Sequence, residues 1–376
     1  LVGPVGLGLG AATAAADYRP YFDWTAGIGP ALPGGGGIDV EGSRSEVDVY
    51  VAGRSLIRSV AKHGPRGATR ALENFPPIGG DSVADIATNP TTGEVFVTTQ
   101  APFNRLWRLA PDSAVATDWP VLSGGPLDVA GNDRVYTVGP GDDTIQGFYS
   151  DGSSAAILPS VGPGGDPATQ TPVGIAVDRG IAWVSDSEQD EIRGFNVYGG
   201  AFAGRIGDAG PGALIDAGQI DAADGRVYAL DLGDDTVKIY AADGTFVESV
   251  PTGFTDPVDV SADLNGNFWV LGPGGQVRVF ALAPRVVGGM SRSFGASFLG
   301  NPLADQIVYM QNDNYLLPLP VGSSSLADGG QFSIVAGSDE CGNVILLPAH
   351  LCGVSVRFDP QTVGSHADTL NLDGSW

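Results

Sequence analysis

The chain has 376 residues, of which 43% are hydrophobic, enough for a large buried core and too many for general disorder. Its 43 acidic residues outnumber 19 basic ones, giving a formal net charge of −24. Such a surface repels phosphate backbones and anionic lipid, which excludes nucleic acid and the membrane surface as expected partners.

Taken in chain order, Leu1 to Ala16 (LVGPVGLGLGAATAAA) is small, apolar and uncharged, and ends in an Ala-x-Ala pattern before Asp17. It reads as a signal-peptide remnant over residues 1–16, the tail of a secretory leader, with an apolar N-terminal arm as the alternative. The stretch is too short and too weakly apolar to span a bilayer, so no membrane insertion is expected within this chain. Tyr18 to Gly27 (YRPYFDWTAG) follows, with the aromatic character of an outer strand.

From residue 38 a phrase of about 44 residues recurs six times. Each round opens on a small apolar strand: Ile38-Asp39-Val40, Ala84-Asp85-Ile86, Leu127-Asp128-Val129, Val173-Gly174-Ile175, Ile220-Asp221-Ala222 and Val258-Asp259-Val260. An aromatic strand comes next, carrying Tyr50, Phe96, Tyr136, Trp183, Tyr228 or Trp269. A third strand is clearest in Thr144–Phe148, Glu191–Phe195, Thr236–Tyr240 and Gln276–Phe280. Asp133-Arg134, Asp224-Gly225 and Asn265-Gly266 are hairpin turns between the first two strands. A period of this length with several strands per unit predicts a β-propeller blade. The reading is all-β: a six-bladed β-propeller over residues 17–288, its last blade completed by the strand at Tyr18 to Gly27 so that the N-terminal strand closes the ring.

The repeat resembles NHL repeats, most closely at Thr171-Pro172-Val173-Gly174-Ile175-Ala176-Val177-Asp178, over roughly residues 18 to 285. After Arg285 the pattern changes. Ser293-Phe294-Gly295, Gln306–Tyr309, Gln331–Val335, Cys341, Cys352 through Pro360 and Gly364 through Leu370 together resemble an Ig-like β-sandwich of the choice-of-anchor D type, over residues 291–376. That resemblance implies a pairing of Cys341 with Cys352, in agreement with the disulfide that export would favour, since a lone cysteine pair without a suitable His set makes a poor zinc site. It also implies a closing strand beyond Leu372, so the sandwich is expected to be truncated at Trp376.

The sharpest polar signal is the recurring Asp of the first strand: Asp39, Asp85, Asp128, Asp221 and Asp259, with Gly174 in the remaining round. First strands line a propeller's channel, so these carboxylates can form an acidic ring that binds Ca²⁺, a candidate metal site and the one cofactor the sequence suggests. The other reading is that each Asp accepts backbone N–H groups and stitches one blade to the next; a residue repeated in nearly every unit usually serves the unit. The acidic turns at 142–143, 188–191 and 234–235 lack the alternating spacing of a calcium loop and read as solvated turns. The once-per-round aromatics read as core, while Tyr18, Tyr21, Phe22 and Trp24 pack in the closing strand or form a ligand shelf.

No catalytic residue is assigned. His63 falls in an outer-strand turn and His350 and His366 in the sandwich, so none is expected at the channel, where propeller lyases that resemble this fold use histidine. No G-x-S-x-G elbow or phosphate loop occurs in its strand-to-helix context. The expected function is therefore an exported, secreted or cell-surface binding or scaffold protein that uses the propeller as an interaction surface for protein or glycan. The alternative is a calcium-dependent hydrolase or lyase, lactonase-like, with an acidic channel mouth; Glu94 and Asn265 lie near that mouth in sequence terms. Oligomeric state is not legible.

Overall fold

The structure is a computed structural model that describes residues 6–9, 18–25, 36–43, 46–53, 60–63, 83–89, 91–99, 104–110, 117–121, 124–138, 144–159, 171–282, 286–288, 291–312, 314 and 316–372. Among these residues the chain is all-β, with two 3-10 turns at Gly210–Gly212 and Pro273–Gly275. No helix there is long and apolar enough to cross a membrane. Two compact units emerge, Tyr18–Ala281 and a second built from Leu1–Asp17 with Leu282–Trp376.

The first unit is a succession of antiparallel sheets, each a meander of adjacent strands. Sheet 1 contains Gly36–Ser43, Glu46–Gly53 and Val60–His63. Sheet 2 contains Val83–Thr88, Val95–Thr99, Arg105–Leu109 and Thr117–Pro120. Sheet 3 contains Leu127–Ala130, Arg134–Thr137, Thr144–Tyr149 and Ser154–Pro159. Sheet 4 contains Pro172–Asp178, Ile181–Asp186, Glu191–Asn196 and Phe202–Ile206. Sheet 5 contains Ala217–Ala223, Arg226–Asp231, Thr236–Ala241 and Phe246–Pro251. Sheet 6 contains Asp259–Ala262, Phe268–Leu271 and Gln276–Leu282, with Tyr18–Thr25 as its outermost strand. The first strand of each sheet packs against the first strand of the next, and that of sheet 6 packs against that of sheet 1, so the succession closes on itself.

Local chemistry explains the meander. Sheets 4 and 5 turn their first hairpins through Arg179-Gly180 and Asp224-Gly225, whose φ values are 50° and 81°, and 49° and 76°. Two successive positive φ values give a turn whose twist matches the flanking strands, and Asp and Gly tolerate them best. The middle strands are buried on both faces, because apolar clusters fill the space between neighbouring sheets: Tyr136, Ile145, Ile175, Val184 and Phe195 between sheets 3 and 4, and Trp183, Ile192, Ile220, Val227 and Tyr240 between sheets 4 and 5. Tyr50, Phe96, Tyr136, Trp183, Tyr228 and Trp269 are all buried, in accord with the core reading. Each such ring removes on the order of 200 Å² from water, roughly 5 kcal/mol before the entropy of ordering is subtracted.

The closing strand is anchored by specific contacts. Tyr18 is buried with its ring 5.2 Å from that of Phe268, which stacks on Phe280 at 4.7 Å. Arg226 donates to the Tyr18 hydroxyl at 2.8 Å, and Arg278 forks onto Asp23 at 2.7 and 2.9 Å. The side chains of Tyr21, Phe22 and Trp24, named above as a candidate ligand shelf, lie outside the described residues.

In the second unit one sheet orders Ser291–Ser293, Gly6–Leu9, Ala367–Leu372 and Ser324–Leu326; another orders Val286–Gly288, Gln306–Asn312, Leu351–Phe358 and Phe332–Asp339; and Leu319–Val321 pairs with Val344–Leu346. One apolar cluster, including Phe294, Met310, Phe332, Val356, Phe358 and Leu370, joins them. Cys341 is disulfide-bonded to Cys352 with their Cα atoms 5.2 Å apart. Two details depart from the expected boundaries. Val286–Gly288 pairs with Gln306–Asn312, so the break falls near residue 281 and not at 288. Gly6–Leu9, inside the stretch read as a leader, is a strand of this second unit.

Candidate functional site

The recurring carboxylates do come together along the inner strands, but not at one position. In sheets 1, 3 and 5, Asp39, Asp128 and Asp221 stand directly opposite Tyr50, Tyr136 and Tyr228 on the second strand. In sheets 2 and 6, Asp85 and Asp259 lie two residues earlier: the residues opposite Phe96 and Trp269 are Ala87 and Ser261. Gly174 of sheet 4 shares that earlier level, since Ala176 is opposite Trp183. The single ring expected from the sequence is thus two rings, about 6–7 Å apart along the strand. Variable hairpin lengths between the Asp and its aromatic conceal the two-residue step.

Both levels use one bonding pattern. Each Asp accepts the N–H of its own following residue and one N–H from the next inner strand. Asp85 accepts from Ile86 at 2.8 Å and from Leu127 of sheet 3 at 2.9 Å. Asp128 accepts from Val129 at 2.6 Å and from Val177 of sheet 4 at 2.5 Å. Asp221 accepts from Ala222 and from Ala262 of sheet 6, both at 2.6 Å. Asp259 accepts from Val260 at 2.8 Å and from Ile38 of sheet 1 at 2.7 Å. Asp39 accepts from the amides of Val40 and of Thr88 in sheet 2. Between sheets 4 and 5 the pattern changes: a Cβ on Gly174 would stand 2.8 Å from the Ile220 nitrogen, leaving no space for a side chain. There Ser185 donates to the Gly218 carbonyl at 2.7 Å and Asp178 accepts from Gly225 at 2.7 Å. The stitching reading of the repeated Asp is what the hydrogen bonds display.

The two levels differ in exposure. Asp85 and Asp259 are buried, whereas Asp39, Asp128 and Asp221 are half-buried and line a cavity of about 270 Å³. Asp178 and Asp263 join its wall, and Val129, Val177, Ala222 and Leu264 supply apolar surface. Ser261, opposite Trp269, stands in sheet 6 at the level that Asp39, Asp128 and Asp221 hold in sheets 1, 3 and 5: its hydroxyl is 3.0 Å from Asp221 and 3.4 Å from Asp39, and it accepts the Val40 N–H at 3.0 Å. Burial first, and the Asp221 charge second, push the Asp39 carboxyl up to about 6. Burial raises Asp85 to about 7 despite its two amide donors. Asp128 and Asp259 are held well above the usual carboxylate range, and Asp221 above it, burial being the chief cause in each. The site is therefore a mouth of crowded, proton-retaining carboxylates that a positively charged group would relieve.

Among the described residues no group of three or more His, Cys, Asp or Glu side chains is arranged to hold a metal ion. The acidic turns are engaged with protein partners: Glu191 pairs with Arg193 and Arg205, Asp234 accepts from the Thr236 hydroxyl at 2.6 Å, and Asp235 accepts from the Asp256 N–H at 3.1 Å. Residues 142–143 lie outside the described residues. Glu94 is tied to Arg108, and the Asn265 amide donates to Asp263 at 2.8 Å. His63 ends the third strand of sheet 1, and His350 and His366 belong to the second unit. Sequence reasoning missed Asp178 and Asp263 as wall residues and Ser261 as the hydroxyl bonded to Asp221 and Asp39. Asp178 was within reach, being the terminal Asp of the best-preserved repeat; Ser261 was not, because only strand register reveals its level.

No protein-family model matches the chain, and no curated protein does. Solved structures do. A catalytically inactive virginiamycin B lyase from Staphylococcus aureus with quinupristin superposes with a TM-score of 0.50 at 14% identity, covering 71% of this chain and all (100%) of that one. The chain has a β-propeller fold. A selenomethionine-substituted virginiamycin B lyase from the same organism gives 0.48 at 12% identity, covering 79% of this chain and 97% of that one. A nidogen/laminin complex gives 0.46 at 14%, covering 57% and 79%. At these identities the likeness concerns the fold alone.

Proposed function

We propose that this is an exported, secreted or cell-surface binding protein: a six-bladed, NHL-like propeller closed by Tyr18–Thr25, with an Ig-like sandwich as its second unit. The reading rests above all on the cavity of about 270 Å³ lined by Asp39, Asp128, Asp178, Asp221 and Asp263. Carboxylates already engaged with backbone amides cannot move without loosening the ring, so the mouth is a preorganised negative surface. It favours a partner that presents a basic group, either a protein side chain or an amino sugar of a glycan. The disulfide between Cys341 and Cys352 supports an oxidising compartment.

The test uses two matched pairs of probes, a lysine-bearing peptide against its acetylated form and an amino-glycan oligomer against its N-acetylated form. Titration calorimetry at low and high salt should find binding only to the cationic probes, weakened by salt and by Asp39→Asn with Asp128→Asn. Equal binding of cationic and neutral probes would overturn the reading. Turnover of lactones or esters that depends on added Ca²⁺ would replace it with the alternative, a calcium-dependent hydrolase or lyase working at the same mouth.

A further inference from the structure

The acids of the mouth alternate from sheet to sheet. At the level opposite the second-strand aromatic, Asp39, Asp128 and Asp221 stand in sheets 1, 3 and 5, while sheets 2, 4 and 6 carry the small residues Ala87, Ala176 and Ser261. Side chains two residues apart on a strand share a face. The acids that follow Ala176 and Ser261 by two, Asp178 and Asp263, therefore form a second tier on sheets that the first tier skips. Asp178 is opposite Ile181, and Asp263 prolongs its strand by donating to the Asn267 carbonyl at 2.9 Å. Both tiers line the same cavity of about 270 Å³, and they lie roughly 6–7 Å apart along the strand. Val129, Val177, Ala222 and Leu264 give that wall its apolar surface. A second kind of observation points to an occupant. The Thr88 hydroxyl, buried on this wall beside the Asp39 carboxyl, makes no hydrogen bond of normal geometry with any described residue. A buried hydroxyl in that condition calls for a partner that enters the cavity.

We propose that the cavity binds a free linear polyamine, an unbranched chain with one ammonium against Asp39, Asp128 and Asp221 and the next between Asp178 and Asp263. This rests on the reading that the mouth takes basic groups, and adds a spacing to it. Four methylenes hold two ammonium nitrogens roughly 6 Å apart, which matches the step between the tiers. The methylenes meet the apolar wall, and the Thr88 oxygen accepts from the inner ammonium. A cavity of this volume is below the usual range of drug-sized pockets, as suits a slender chain. Arg179 lies 3.7 Å from Asp178 but is exposed and also donates to Asp224 at 3.1 Å, so a ligand ammonium can displace it.

The test titrates the full chain by calorimetry with butylamine and with diamines from ethylenediamine to diaminooctane, at pH 8, above the Asp39 value of about 6. Affinity should peak at diaminobutane or diaminopentane, at one site per chain, and exceed that of butylamine at least about tenfold. Asp178→Asn with Asp263→Asn should bring the best diamine down to the level of butylamine. Asparagine keeps an acceptor oxygen for the Gly225 and Asn265 amides, and a melting curve checks that the variant is folded. Should it unfold, the length series on wild type decides alone. A profile flat in chain length, many equivalent sites per chain, or butylamine binding as tightly as every diamine overturns the proposal and leaves the mouth a site for single basic groups. No binding of any amine overturns both this proposal and the reading beneath it.

Discussion

Asp259 accepts the amide of Ile38 at 2.7 Å across 221 residues of chain, joining the last sheet to the first. The same carboxylate takes the Val260 amide through its other oxygen, at 2.8 Å. Asp259→Ala removes the acceptor from two buried donors, each costing about 1–3 kcal/mol when left unmade. The expected loss is about 2–4 kcal/mol at pH 5, read as a lower urea midpoint for the first unit. A midpoint within error of wild type would mean that the seam is held by packing alone.

The stitches carry a pH dependence of unusual sign. Folded Asp39 and Asp85 titrate near 6 and 7, above the unfolded carboxylate range near 4. Between those limits the folded state holds more protons than the unfolded one, so stability falls as pH rises. The stabilising contribution is fully present below about pH 4 and is lost by about pH 7. Melting temperature should decline from pH 5 to pH 8 as Asp39 and Asp85 lose their protons. A melting temperature that rises over that range counts against protonated carboxylates in the channel.

Gly174→Ala should destabilise the first unit by about 1–3 kcal/mol, because the added methyl would meet the Ile220 backbone nitrogen and the Ser185 hydroxyl, both at 2.8 Å, and the backbone cannot swing aside. Gly174→Asp, which restores the repeat pattern, should be no better than alanine. Thermal melts of both variants check this; a stabilised aspartate variant would show that sheets 4 and 5 can separate.

The disulfide closes a short loop, its cysteines being 11 residues apart. Chain-entropy reasoning puts its effect near 3 kcal/mol. Reduction, or Cys341→Ser with Cys352→Ser, should lower the melting transition of the second unit and leave that of the first unchanged. Mass should rise by two hydrogens on reduction, and coincident loss of both transitions would contradict separate stabilities.

Much of the fold was legible because its causes are local. Asp224-Gly225 and its equivalents dictate hairpins, and one aromatic per round marks the buried second strand. The aromatic character of Tyr18 to Gly27 suggested its place beside Gln276–Leu282, which the structure displays. Cys341 and Cys352, close in sequence, pair as expected. The candidate site was legible in composition but not in geometry. Five Asp residues in matching phrases looked like one ring, yet Asp85 and Asp259 are two residues out of step with Asp39, Asp128 and Asp221.

The sequence by itself determined the repeating unit, its turns, its core aromatics and the acidity of the inner strands, since each depends on neighbours within a few residues. Only the tertiary structure decided what those acids do. Whether a carboxylate meets solvent, a metal or an amide depends on the strand beside it, which comes from another round of the chain. At Asp128 that neighbour is Val177; at Gly174 the neighbouring strand comes too close for any side chain. The place of Gly6–Leu9 was likewise hidden, because backbone pairing is indifferent to the small apolar residues that made the segment look like a leader.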